Sequence, residues 1–119
     1  MRTPRFVRSI LAATVFAIAA LLASLTAPQA LADEDIKIVI ENHKFEPSEI
    51  RVSANQKIRI VIDNRDATPE EFESASLRAE KVIPGKSKGL VIVGPLKPGK
   101  YSFIGEFNAK TAQGVLIAE

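Results

Sequence analysis

The twenty residues FEPSEIRVSANQKIRIVIDN, residues 45–64, decide the fold. The segment EIRVS alternates apolar and polar side chains, and KIRIVID places three isoleucines on one face, Ile58, Ile60 and Ile62. Side chains two positions apart project from the same face of a β-strand, so each segment predicts a strand with one buried face. Between them, SANQ is rich in residues that favour turns. The stretch therefore predicts two successive strands joined by a short turn.

The same pattern continues on both sides of this stretch. Further strands are predicted at IKIVIE, GLVIVG, KYSFIGEF and GVLIAE, and the continuously apolar GLVIVG is expected to be a central strand. Turn-rich segments separate these runs, and ESASLRAEK, residues 73–81, is the only one of these intervening stretches compatible with a helix, of one or two turns. Short strands at this spacing predict an all-β domain, an antiparallel sandwich or barrel, of which we favour the sandwich.

The first 32 residues predict a secretory signal peptide. Arg2, Arg5 and Arg8 precede an uncharged apolar run, and ALA at residues 30–32 places small residues at a cleavage site. We expect cleavage after Ala32, which leaves residues 33–119 as one small domain in the periplasm or outside the cell. The alternative is an uncleaved membrane anchor, because the uncharged run is long enough to span a bilayer.

Composition excludes several classes of protein. Without the three leader arginines, the net charge changes from +2 to about −1, so the charge does not support nucleic-acid binding. The sequence contains no cysteine, which excludes a disulfide partner, lipoprotein attachment and any thiolate metal site. No nucleophile–base pair and no phosphate-binding loop is recognisable, so a hydrolase is not expected.

The order of these elements resembles the cupredoxin family. The matching residues are 45–64, a following proline-containing loop, and LKPGKYSF, residues 96–103, which leads into a last strand. The similarity extends over residues 36–118. It implies a cupredoxin-like Greek-key β-sandwich, a single small domain after the signal peptide.

The resemblance also implies where a copper site would stand. A blue-copper cupredoxin binds its metal through a His after the long third strand, and a Cys, a second His and a Met before the last strand. In this chain the first His position falls at Glu70 or Glu71, the Cys position near Gly105, the second His at Asn108, and the Met within residues 111–113. None of the four ligands is present, so a type 1 copper electron carrier is excluded.

The chain is also similar to the EfeO-type subfamily of cupredoxin-like proteins, periplasmic proteins linked to ferrous-iron uptake. Members carry a Glu-aromatic-Glu element where the first copper His would stand, and Glu71-Phe72-Glu73 matches it. Some members have cysteines near the site, and many have a His where this chain has Asn108. The resemblance implies an accessory role beside an inner-membrane iron permease and other periplasmic iron-uptake components.

Six residues are candidate metal ligands: Glu71, Glu73, His43, Glu70, Glu106 and Asn108. Two carboxylates on one strand face repel each other unless a cation or a proton lies between them. The alternative for Glu71 and Glu73 is solvated charge on an edge strand that prevents edge-to-edge pairing.

The other four candidates each have a plainer interpretation. Strict alternation turns Glu70 inward with Phe72, or else Glu70 lies in the loop before the strand. His43 is the only imidazole and falls at the corner that cupredoxins place near the metal loops, but a lone His is more often a surface or core residue. Glu106 and Asn108 lie in the loop before the last strand, where they are either ligands or ordinary polar residues.

These residues predict a bound metal ion, Cu(II) or iron, held by carboxylates and His without a thiolate. The leading hypothesis is a periplasmic metal-binding protein that assists ferrous-iron uptake. The alternative is a metal-free protein-interaction module with the same fold. Ferroxidase activity of this chain alone ranks third, because one His and no Cys make a poor redox centre.

Overall fold

A computed structural model describes residues 34–119, which form nine β-strands and one short 3₁₀ turn. The predicted signal peptide, its cleavage site and the alternative anchor lie outside the described residues. Within residues 34–119 no helix is long and apolar enough to cross a membrane. The strands are β1 (Glu34–Glu41), β2 (Lys44–Glu46), β3 (Glu49–Val52), β4 (Ile58–Asn64), β5 (Glu70–Ser74), β6 (Ala79–Ile83), β7 (Ser87–Val93), β8 (Gly99–Gly105) and β9 (Gln113–Ala118), with the 3₁₀ turn at Glu106–Asn108.

The strands form two sheets packed face to face. One sheet has the order β2-β1-β4-β7 and the other β3-β9-β8-β5-β6. Strand β1 runs parallel to β4, and β3 runs parallel to β9, while the other neighbours are antiparallel. The all-β sandwich predicted from the sequence is confirmed, but its sheets are mixed and not purely antiparallel as expected.

The alternation in residues 45–64 determines which side chains reach the core. Ile58, Ile60 and Ile62 of β4 are fully buried, while the residues between them face outward. Phe45 from the first sheet packs edge-on against Phe103 of the second, with ring centroids 5.1 Å apart, and lies 6.2 Å from Phe72. These three rings join the two sheets at the core.

One sequence expectation about elements is wrong, and the one stretch that was compatible with a helix does not form one. GLVIVG is not central: its strand β7 lies at the edge of the four-stranded sheet, with Leu90 and Ile92 exposed. The helix-compatible stretch 73–81 instead holds the end of β5, a turn at residues 75–78 and the start of β6. Pairing along β5 overrides the weak helix preference of this segment, because propensity is easily outweighed by tertiary contacts.

Candidate metal centre

Strand β5 carries the acidic residues and lies inside its sheet, between β8 and β6. Phe72 points into the core and is fully buried, so Glu71 and Glu73 face outward on the other side of the strand. Glu73 lies opposite Glu80 of β6 and opposite Ile104 of β8. The edge-strand interpretation of Glu71 and Glu73 is therefore wrong, because both flanks of β5 are already paired.

Three carboxylates converge on this outer face. Ligand oxygens of Glu71, Glu73 and Glu106 all lie within 4.8 Å of one another. Glu106 is the first residue of the 3₁₀ turn that follows β8, so it approaches β5 from the neighbouring strand. Glu71 is buried, Glu73 is half-buried and Glu106 is exposed. The three side chains thus leave one open side to solvent.

The carboxylates strongly affect each other's protonation. Hydrogen bonding with the Glu80 side chain, together with burial and the charge of Glu106, raises the pKa of Glu71 to about 7. Hydrogen bonding with Glu106 is the main cause that raises the pKa of Glu73. A shared proton relieves like-charge repulsion near neutral pH, and a cation in the same place would do the same.

Glu80 is a member of this acidic group that the sequence did not identify. It lies directly across from Glu73 in the β5–β6 register and contributes to the raised pKa of both Glu71 and Glu73. Its position was not predicted from the sequence, because residues 79–83 were not recognised as a strand.

Glu70 faces the other way from this group. Its side chain is 1% exposed, and β5 begins at this residue, so the alternative that placed it in a loop is wrong. Its carboxylate accepts hydrogen bonds from Phe107 N at 2.9 Å and from Asn108 Nδ2 at 2.7 Å. The structure therefore pairs Glu70 with Asn108 and does not place them with Glu71, Glu73 and Glu106.

His43 lies at the corner between β1 and β2, close to the segment after β8, since its carbonyl accepts a hydrogen bond from Thr111 Oγ1 at 2.7 Å. Its Nε2 lies 3.4 Å from Thr68 Oγ1. Burial acts to raise the pKa of Asp66, but hydrogen bonds from the backbone N–H groups of His43 and Asn42 hold that pKa below its usual value. His43 is thus at the expected end of the sandwich but outside the three-carboxylate group.

The positions that hold the copper ligands in a type 1 site lie close together in this fold, but the residues found there cannot form that site. A Cβ atom on Gly105, the position nearest the family's Cys, would lie 2.6 Å from Glu70 Cδ. The Glu70 carboxylate and its hydrogen bond to Asn108 fill the space between these positions. With no cysteine in the sequence, no thiolate is available. A type 1 copper site is excluded.

Residues 14–118 match the family described as cupredoxin-like domain. The chain belongs to this family. An uncharacterized protein of Rickettsia prowazekii (strain Madrid E) is 40% identical over 83 residues, a match that covers 70% of this chain and 66% of that protein, just under two thirds of its length.

Solved structures confirm the cupredoxin-like fold. A copper binding protein in the apo form aligns with TM-score 0.66 at 22% identity, over 76% of this chain and 92% of that one. The metal-binding domain of the Cu(I)-exporting P-type ATPase CopA of Streptococcus pneumoniae D39 aligns with TM-score 0.63 at 15% identity, over 76% and 91%. Auracyanin A, a blue copper protein of Chloroflexus aurantiacus, aligns with TM-score 0.62 at 19% identity, over 74% and 100%.

Proposed function

We propose that this cupredoxin-like protein is exported to the periplasm and binds a transition metal, Cu(II) or iron, through Glu71, Glu73 and Glu106. The observation that carries the proposal is the approach of three carboxylates to within 4.8 Å on one paired strand and its neighbour. Hydrogen bonding with Glu80, burial and the charge of Glu106 raise the pKa of Glu71 to about 7, and a cation in place of the shared proton would relieve the repulsion between the carboxylates. Glu80 adds negative charge beside them.

Oxygen ligands narrow the choice of metal. Carboxylates suit Cu(II) and iron better than soft Cu(I), which prefers thiolates and thioethers. Copper is the first metal to test, because solved structures of the same fold are described as copper-binding. Iron follows from the Glu71-Phe72-Glu73 match to the EfeO-type subfamily, which also supports a role as an accessory of an inner-membrane iron permease.

A titration of the purified protein with Cu(II) and then with iron tests metal binding. We expect one bound ion per chain, and a Cu(II) complex without the intense visible absorption of a copper–thiolate bond. Glu71→Ala/Glu73→Ala should abolish stoichiometric binding, whereas Glu41→Ala/Glu46→Ala, which removes two exposed carboxylates, should not. Equal metal content in both double variants would refute the site.

A metal-free interaction module is the second candidate, and one observation favours it. Leu90 and Ile92 are 40% and 52% exposed on the outer face of the four-stranded sheet, and their strand, β7, is an edge strand. Exposed apolar side chains on an edge strand are a common basis for protein association.

Growth of the native host on limiting ferrous iron separates the two candidates. A chromosomal Glu71→Ala/Glu73→Ala variant should reproduce the growth defect of a deletion if metal binding is the function. If Leu90→Thr/Ile92→Thr reproduces it and the glutamate variant grows normally, the interaction module is correct.

A further inference from the structure

Glu70 is a buried carboxylate that the metal site does not use as a ligand. We infer that Glu70 is a positioning residue: it clamps the Glu106–Asn108 turn onto β5 so that Glu106 is held against Glu71 and Glu73. This inference rests on the proposed metal site and assigns the residue that assembles it.

Both carboxylate oxygens of Glu70 accept hydrogen bonds. Oε1 accepts hydrogen bonds from Glu71 N at 3.0 Å and from Phe107 N at 2.9 Å, and Oε2 accepts one from Asn108 Nδ2 at 2.7 Å. Among residues 34–119 no Lys, Arg or His forms an ion pair with it. Burying a carboxylate is costly, and here three uncharged N–H donors compensate for the lost water.

These contacts bracket Glu106 on both sides. Gly105 has no side chain, and its Cα packs so closely that an added Cβ would lie 2.8 Å from Glu70 Oε2. Phe107 and Asn108, on the other side, donate to the same carboxylate. The position of Glu106 relative to Glu71 and Glu73 is thus set by Glu70, whose own backbone precedes Glu71.

Backbone hydrogen bonds such as Gly105 N to Ala112 O at 2.9 Å hold the turn, but its N-terminus has no side-chain cap of its own. Gly105 stands at its N-terminal cap and provides no side-chain hydrogen bond. A carboxylate from a neighbouring strand supplies the acceptor that a Ser or Asp would supply in an ordinary cap. Without Glu70, the amide of Phe107 and the side chain of Asn108 lose their acceptor on β5, so Glu106 is held less closely against Glu71 and Glu73.

A double-mutant cycle in Cu(II) affinity distinguishes positioning from general stabilisation. Wild type, Glu70→Ala, Glu106→Ala and the double variant are titrated with Cu(II). We expect Glu70→Ala to weaken binding about 10–100-fold, the range found when residues that orient metal ligands are removed. The double variant should bind no more weakly than Glu106→Ala, because Glu70 acts through Glu106.

Three variants complete the test. Glu70→Gln should restore most of the affinity, since the Asn108 amide can rotate and accept a hydrogen bond from the new side-chain N–H. Glu70→Asp keeps the charge, shortens the reach and serves if the alanine variant does not fold. Ser74→Ala is the matched control: Ser74 is buried in the same strand and donates to Ser102 O at 2.6 Å, away from the turn. Its loss should leave Cu(II) affinity unchanged.

The outcomes separate this inference from the metal site itself. If wild type binds neither Cu(II) nor iron, or if Glu106→Ala binds the metal as wild type does, the proposed site is wrong. If Glu106→Ala weakens binding but Glu70→Ala and Glu70→Asp do not, or if the two effects add, the positioning role is wrong. Amide hydrogen exchange at Phe107, measured without metal, should accelerate in Glu70→Asp and not in Ser74→Ala. Unchanged exchange would also overturn the clamp.

Discussion

At the scale of single residues, alternation along β5 explains most of the candidate site. The sequence predicted that Glu71 and Glu73 share a face, and it left Glu70 either inward with Phe72 or in the preceding loop. The shared face and the inward position of Glu70 are confirmed, because β5 begins at Glu70. It did not predict that Glu70 and Asn108 bind each other, since their contact depends on how the turn after β8 folds back. Hydrogen bonds between distant segments leave no periodicity in a sequence.

The raised pKa of Glu71 predicts a pH-dependent stability. The folded-state pKa of about 7 exceeds the usual value of 4.5, so the folded protein binds more protons than the unfolded chain between these values. Stability from this group is therefore fully present below about pH 4.5 and is lost as the pH rises through about 7. Glu71→Gln should stabilise the protein more at pH 8 than at pH 5, as measured by urea unfolding.

The control for this prediction is Glu46→Gln, an exposed carboxylate on β2. Its effect on the free energy of unfolding should be small and similar at both pH values. A Glu71→Gln effect that is the same at pH 5 and pH 8 would contradict the carboxylate coupling.

At the scale of elements, long apolar runs were the least informative. GLVIVG predicted a central strand, but β7 lies at the edge of its sheet, buries Val91 and Val93, and exposes Leu90 and Ile92. An apolar run can have the same composition in a central strand and in an edge strand, so the position of the strand in the sheet cannot be inferred from it. Strand β6 was not predicted, because three of its five residues are exposed and two of them are charged, so no alternation of apolar and polar residues is visible.

The edge position of β7 predicts unequal effects of substitution along one strand. Leu90→Thr/Ile92→Thr should change the free energy of unfolding by less than about 1 kcal/mol, because both side chains are largely outside the core. Val91→Ala, between them, should cost about 2 kcal/mol, since Val91 is buried. Chemical denaturation measures both, and equal costs would mean that the outer face of β7 is covered.

At the scale of the whole molecule, the fold was predictable because the regular features repeat. In the four-stranded sheet, every strand except the short β2 corresponds to an apolar run that was predicted from the sequence. Turn residues mark the boundaries between these runs. Which strands pair could not be derived from local patterns: the parallel β1–β4 and β3–β9 pairs join segments far apart in the chain. The resemblance to cupredoxins implied a β-sandwich without specifying these pairs, and the two packed sheets agree with the sandwich.

A sandwich without disulfides depends on packing between its sheets. Phe45 provides part of that packing, because it contacts aromatic rings of the opposite sheet. Its ring lies edge-on to both Phe72 and Phe103, at 75° to each, and reaches them from the short strand β2. Phe45→Ala should cost about 3–5 kcal/mol, the usual penalty for removing a buried Phe, which is a large share of the 5–15 kcal/mol typical of a small domain. The melting temperature should fall by well over 10 °C, because each kcal/mol lowers it by about 4–8 °C in a domain of this size. Phe107→Ala, at an exposed ring in the 3₁₀ turn, should leave the melting temperature nearly unchanged, and a similar loss in both variants would show that the sheets are held together elsewhere.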